Sequence, residues 1–153
     1  MALLLKFQEI ELLSALNDNR ARYIVVGGCA VAHHGYLRMM KDLDLWLEPT
    51  SDNALRVAHD LASVRFFLDP NQVARLGKPK LQMRLSTLHT EMLTEMTGLE
   101  FNSAMASAVM AHKNGVLCDV LSRNDLINNK RAVGRERDLD DAAALERVMK
   151  HAT

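Results

Sequence analysis

The chain has 153 residues, enough to bury a core without disulfide or metal staples and of a size for one domain over residues 1–153. Hydrophobic residues make up 48% and charged residues 25%, and 19 basic against 19 acidic side chains leave a formal net charge of zero. That balance gives no global field favouring a polyanion or a membrane surface. The apolar run Met1 to Leu5 is cut short by Lys6, too early for a secretory or spanning segment, so the expectation is a soluble cytoplasmic protein with no membrane partner. Two cysteines, Cys29 and Cys118, lack zinc-ligand spacing and read as buried free thiols.

In chain order, Leu3, Phe7, Ile10, Leu13 and Leu16 recur at helical spacing, which predicts a helix over 3–17 stopped by Asn17-Asp18-Asn19. A β-branched strand over 22–26 ends in Gly27-Gly28, where the backbone can turn sharply and a ligand can approach without a Cβ in the way. A helix from Cys29 to His34 follows and would point its free N–H groups at an anion such as a phosphate. The next strand carries Asp42 and Asp44, two positions apart, so both carboxylates leave one face while Leu43, Leu45 and Leu47 take the other. Neighbouring carboxylates repel unless a cation lies between them, and magnesium suits such a pair with substrate phosphates. Trp46 shares the aspartates' face, where it either borders a base pocket or packs in the core.

Thr50 or Ser51 caps a helix with an inward stripe of Leu55, Ala58, Leu61 and Ala62. Phe66 to Leu68 reads as a strand, Pro70 to Leu76 as a short helix, and 81–85 and 89–93 as strands. Val109 to Lys113, Asn114-Gly115 and Val116 to Leu121 form a hairpin signal. Ser122 opens a helix with a capping box to Asp125, and Leu139 to Met149 forms the last helix. His33 and His34, adjacent on a helix, diverge by about 100° and do not make a metal pair. His34 is expected to meet terminal helix carbonyls. The nine methionines, Met39, Met40, Met92 and Met96 among them, read as core filler.

The segment from Gly27 to Asp44 resembles the nucleotidyltransferase superfamily with a DNA polymerase β-like fold, and within it small bacterial AbiEii-related proteins. Those read Gly-Gly-x-Ala-x-x-x-His-Gly-x-x-Arg-x-Thr-x-Asp-Leu-Asp, matched here by Gly27, Gly28, Ala30, His34, Gly35, Arg38, Asp42, Leu43 and Asp44. Met40 departs, standing where the relatives have Thr. The resemblance implies an α/β (α+β) fold with a mixed sheet flanked by helices. It also implies magnesium-dependent transfer of a nucleoside monophosphate from an NTP to an acceptor hydroxyl, with two magnesium ions in the active complex. Gly27, Gly28 and Arg38 would bind the nucleotide, and the acceptor would be tRNA or a protein side chain, as in toxin–antitoxin members. A cognate toxin or antitoxin is then an implied partner, and a non-catalytic antitoxin-like binding module on the same fold is the rival reading.

Such transferases add a third acid from a neighbouring strand, and pattern alone leaves Glu91 and Asp119 as candidates. The resemblance favours Glu91, because the stretch from Glu91 to Phe101 is similar to the relatives' Asp-Leu-Leu-Thr-x-Ile-x-Gly-Val-x-Phe, with Glu in place of Asp. Asp42, Asp44 and Glu91 are therefore the expected catalytic and metal-holding residues. A second stretch, Asp125 to Asp141, is similar to Asp-Leu-Ile-x-x-Lys-x-Ala-x-Gly-Arg-x-Lys-Asp-Leu-x-Asp. There Lys130 is a candidate for the triphosphate, set against an alternative in which this stretch is a helix–loop–helix held by ion pairs of Arg135 or Arg137 with Asp138 or Asp141.

Overall fold

The computed structural model describes residues 6–37, 42–113 and 115–151, so Arg38, Met40 and Asn114 lie outside it. The described residues form six strands, β1 apolar throughout and β3 and β4 alternating in burial: β1 (Tyr23–Val26), β2 (Leu43–Leu47), β3 (Gln82–Leu85), β4 (Thr90–Leu93), β5 (Val109–Lys113) and β6 (Val116–Val120). They form one mixed sheet in the order β3-β4-β2-β1-β6-β5. The β4/β2 and β1/β6 pairs are parallel and the other three antiparallel. Among the described residues seven α-helices accompany it: α1 (Phe7–Asp18), α2 (Gly27–His33), α3 (Ser51–Ser63), α4 (Pro70–Leu76), α5 (Phe101–Ser107), α6 (Arg123–Val133) and α7 (Glu136–His151). Among the described residues no helix is long and apolar enough to cross a membrane.

The period-two pattern sorts the sheet into two faces. Leu43, Leu45 and Leu47 register with Tyr23, Val25, Thr90 and Met92, all buried, and α1 contributes Leu12, Leu13 and Leu16 to the same core. Asp44 and Trp46 project on the opposite face with Ile24, Val26 and Glu91. That face is only partly covered: Trp46 packs edge-on against Phe101 of α5, ring centroids 5.2 Å apart, while Gln82 and Arg84 of the edge strand are exposed. Cys29 and Cys118 are buried free thiols, pushed up to about 12 and about 11, in both cases first by desolvation, which leaves them unreactive.

Several expectations are corrected. Of the expected α3 stripe Leu61 is buried and Ala58 and Ala62 are half-buried, but Leu55 is exposed, and Asn53, Ala54, Val57 and Asp60 complete the buried face. Asn53 is the reason: its amide accepts from Arg22 N at 2.7 Å and donates to the carbonyls of Arg22 and Glu48, clamping β1 to the end of β2. A buried side chain with all its hydrogen bonds made outranks the hydrophobic count that favoured Leu55. Phe66 to Leu68 is not a strand; Phe66 N instead bonds Leu61 O to close α3, and Phe67 is exposed. The sequence reading left α5 out because its N-cap is Glu100, whose carboxylate accepts from Asn102 N and Ser103 N, a residue outside the usual Ser, Thr, Asp and Asn set. At α6 the Ser122 hydroxyl accepts from Asp125 N at 3.2 Å, and α7 begins at Glu136, three positions before the expected start.

Candidate functional site

One row of residues crosses four of the six strands. Val26 of β1 pairs with Asp44 of β2, Asp44 with Glu91 of β4, and Glu91 with Arg84 of β3. Neighbouring strands lie about 4.8 Å apart, and paired residues share a face, so Asp44 and Glu91 stand side by side. Asp42 lies two residues before Asp44, just ahead of β2, and thus on the same side. Asp119 is elsewhere. It neighbours Ile24 through the Val25–Val120 pair, two strands and one pleat repeat from Asp44, roughly 12 Å by sheet geometry. Burial pushes its carboxyl up, opposed by the charge of Arg22.

The acids have protein partners. Arg84 holds Asp42 in a two-pronged pair, Nε to Oδ2 at 2.9 Å and Nη2 to Oδ1 at 3.2 Å. The Arg84 hydrogen bond is the main reason the Asp42 carboxyl lies below the usual range. Glu91 accepts a hydrogen bond from Gln82 Nε2. Neither Arg84 nor Gln82 figured in the sequence reading. The signal was present, since strands at 81–85 and 89–93 imply a hairpin that places one of these side chains opposite an acid. Among the described residues no three His, Cys, Asp or Glu side chains group closely enough to hold a metal ion. The oxygen donors on this row nevertheless suit a hard cation, which would compete with Arg84 and Gln82 for them.

Gly27 shapes the row from above. Its φ is +64°, and a Cβ there would fall 2.0 Å from Asp44 Oδ2. The turn from β1 into α2 therefore fits only a residue without a side chain, and it does so because Asp44 occupies the space. Gly28, by contrast, is half-buried and not among the positive-φ glycines, so the conformational demand falls on Gly27 alone. Gly27→Ala is expected to cost about 1–2 kcal/mol for the left-handed backbone and to swing Asp44 out of the row. Gly28→Ala is the comparison. Urea unfolding of both variants checks this: equal stability of Gly27→Ala and wild type would remove the close-approach argument.

Comparison of the chain with protein-family models and with curated proteins finds no match.

The remaining sequence candidates separate. Arg38 lies outside the described residues. Lys130 faces away from solvent between α6 and α7, with Nζ 3.0 Å from Asp141 Oδ2 and 3.5 Å from Asp138 Oδ1. Arg135 Nε adds a 2.7 Å bond to Asp138 Oδ2. Lys130 thus serves the helix pair, and α6 and α7 are the helix–loop–helix held by ion pairs, turning at Gly134 with φ +76°. His34 caps α2, but its Nε2 meets Leu121 O at 2.7 Å, a carbonyl following β6 and not one of its own helix. His33 and His34 both line one hollow, with their rings at 78° to each other. Trp46 is 2% exposed and its Nε1 has no hydrogen-bond partner. Beside it lies a hollow of about 350 Å³ lined also by Thr94, Met96, Leu99, Phe101 and Asn102.

Proposed function

We propose that this protein is a nucleotidyltransferase of polymerase β-like fold that moves a nucleoside monophosphate from an NTP to an acceptor hydroxyl, releasing pyrophosphate. The observation that carries the reading is the register of Asp44 against Glu91, with Asp42 on the same side and Gly27 pressed onto Asp44. Carboxylates from β2, from the residue just ahead of it and from β4, with the start of α2 beside them, are the donor set that such a transfer needs. Asp42, Asp44 and Glu91 would hold magnesium, which when bound neutralises and polarises the transferred phosphoryl group. Backbone N–H groups after Gly27 and Gly28 would hold the outer phosphates. Glu91, nearest the edge of the row, would orient the acceptor hydroxyl and take its proton. The hollow beside Trp46 lies on the same face and suits a nucleobase against apolar and aromatic side chains. The acceptor class proposed is an RNA end or a protein side chain.

Glu91 and Asp119 make separate predictions. Glu91→Gln keeps NTP binding while losing most of the transfer, and Asp119→Asn behaves as wild type, read by release of labelled pyrophosphate beside equilibrium NTP binding. The reverse pattern moves the third acid to Asp119, against the sheet register.

A non-catalytic, antitoxin-like binding module on this fold is the second reading. One observation favours it: Arg84 already supplies a positive charge to Asp42 through two hydrogen bonds. Magnesium-dependent NTP binding decides between them when followed by a search for labelled product from each of the four NTPs. Binding without product in any acceptor mixture favours the module.

A further inference from the structure

A second polar hollow, of about 550 Å³, lies at the far end of α2, lined by His33, His34, Gly35, Val109 and Arg123. His33 lies six residues along α2 from Gly27, about 9 Å at 1.5 Å per residue. Its chemistry is unlike that of the acid row. Arg123 Nε and His33 Nδ1 are both buried and have no hydrogen-bond partner. Buried donors are almost always satisfied, so these two nitrogens, on residues that line one hollow, call for an acceptor that the described residues do not provide. Among the described residues no acidic side chain lines the hollow, and Arg123 forms no ion pair.

The rings are held in place. His34 is fixed by the 2.7 Å contact of its Nε2 with Leu121 O, and His33 stands edge-on to it, centroids 5.3 Å apart at 78°. Burial first lowers the pKa of both imidazoles; at His34 the Leu121 hydrogen bond opposes this and the charge of Arg123 adds to it. Both rings are thereby held toward the neutral form, so the positive charge of the hollow is carried by Arg123, and an anion there supplies its counter-charge. Arg123 is also the first residue of α6, an eleven-residue helix whose N-terminal dipole adds to the positive potential.

We propose that the hollow formed by His33, His34 and Arg123 is a metal-independent binding site for a phosphate group. The Arg123 guanidinium and an Nδ1–H of His33, arriving from two elements, match the acceptor oxygens of a tetrahedral phosphate, while the N–H of His34 is taken up by Leu121 O and fixes the wall of the hollow. The site stands apart from the acid row and does not depend on nucleotidyl transfer. The phosphate comes from one of two sources, a free phosphate or the phosphodiester of an oligoribonucleotide.

The test is an NMR titration of the full chain with inorganic phosphate, without divalent cations, at fixed pH and constant ionic strength, following the ring signals of His33 and His34 and Arg123 Nε–H. Saturable shifts of all three are expected, absent when chloride replaces phosphate. Arg123→Gln should weaken binding about tenfold or more, the loss of a charge-assisted hydrogen bond. His33→Gln should weaken it in the same direction if Arg123→Gln does not fold. Asp44→Asn should leave it unchanged, which separates this site from the acid row. A second titration with a short oligoribonucleotide identifies the source: tighter binding than inorganic phosphate assigns a strand, equal binding a free phosphate. Non-saturating shifts, or saturable binding untouched by both Arg123→Gln and His33→Gln, would overturn the site.

Discussion

Asp44→Asn should lose magnesium-dependent transfer by on the order of 10²–10³-fold, the scale seen when one preorganised electrostatic group is removed from a reacting centre. The reason is positional. Asp44 is the only member of the acid row with an acid neighbour on both sides, Glu91 across the strand pair and Asp42 two residues back. An amide keeps the shape and one acceptor oxygen but removes the charge on which a hard cation depends. Asp42→Asn should lose less, because it also frees Arg84, whose guanidinium can then reach a substrate phosphate. Transfer kinetics with each NTP, beside a cooperative urea transition for each variant, provide the measurement. Undiminished magnesium-dependent binding in the Asp42→Asn, Asp44→Asn double variant would end the metal assignment.

The second large effect is on stability. Lys130→Ala should destabilise the protein by about 3–5 kcal/mol, because it leaves two buried carboxylates without their shared cation. Asp138 and Asp141 are 1% and 2% exposed, so water cannot take the place of the ammonium. For Asp138, burial alone pushes the carboxyl up, but the Arg135 hydrogen bond and the charges of Lys130 and Arg135 together hold it below the usual range. A depressed carboxyl contributes stability that is full above its unfolded value, about 3.9, and is lost as pH falls through the lower folded value. Acid should therefore loosen the α6–α7 pair only below about pH 4. In Lys130→Ala the depression weakens and the onset moves to higher pH. Urea midpoints between pH 3 and 7 measure both effects, and a wild-type midpoint in Lys130→Ala would mean that the ion pairs contribute nothing net.

Local chemistry made much of this molecule legible. Two carboxylates two residues apart in an apolar strand had to share a face, and Asn114-Gly115 between alternating runs had to be a hairpin signal. Both arguments need only neighbouring residues. Glu91 was reached by resemblance, and its place beside Asp44 follows from the β2/β4 register, which no local pattern contains. Asn53 shows the limit of such arguments: the apolar pattern does not mark it as buried, because its three hydrogen bonds run to backbone 5 and 31 residues away.

By itself the sequence determined most of the elements, though not α5 or the coil at Phe66 to Leu68, together with the face on which Asp44 and Trp46 lie and the free thiols; it offered the ion-paired α6–α7 unit as one of two readings. These depend on backbone periodicity and on side chains close along the chain. Only the tertiary structure decided that Glu91 and not Asp119 neighbours Asp44, that Arg84 pairs with Asp42, that Lys130 is buried between helices, and that Gly27 needs its missing Cβ because Asp44 fills that space. Each of these joins groups separated by 8 to 47 positions in the chain. Their meeting depends on strand order and register, set by how all the apolar faces bury together and not by any one segment.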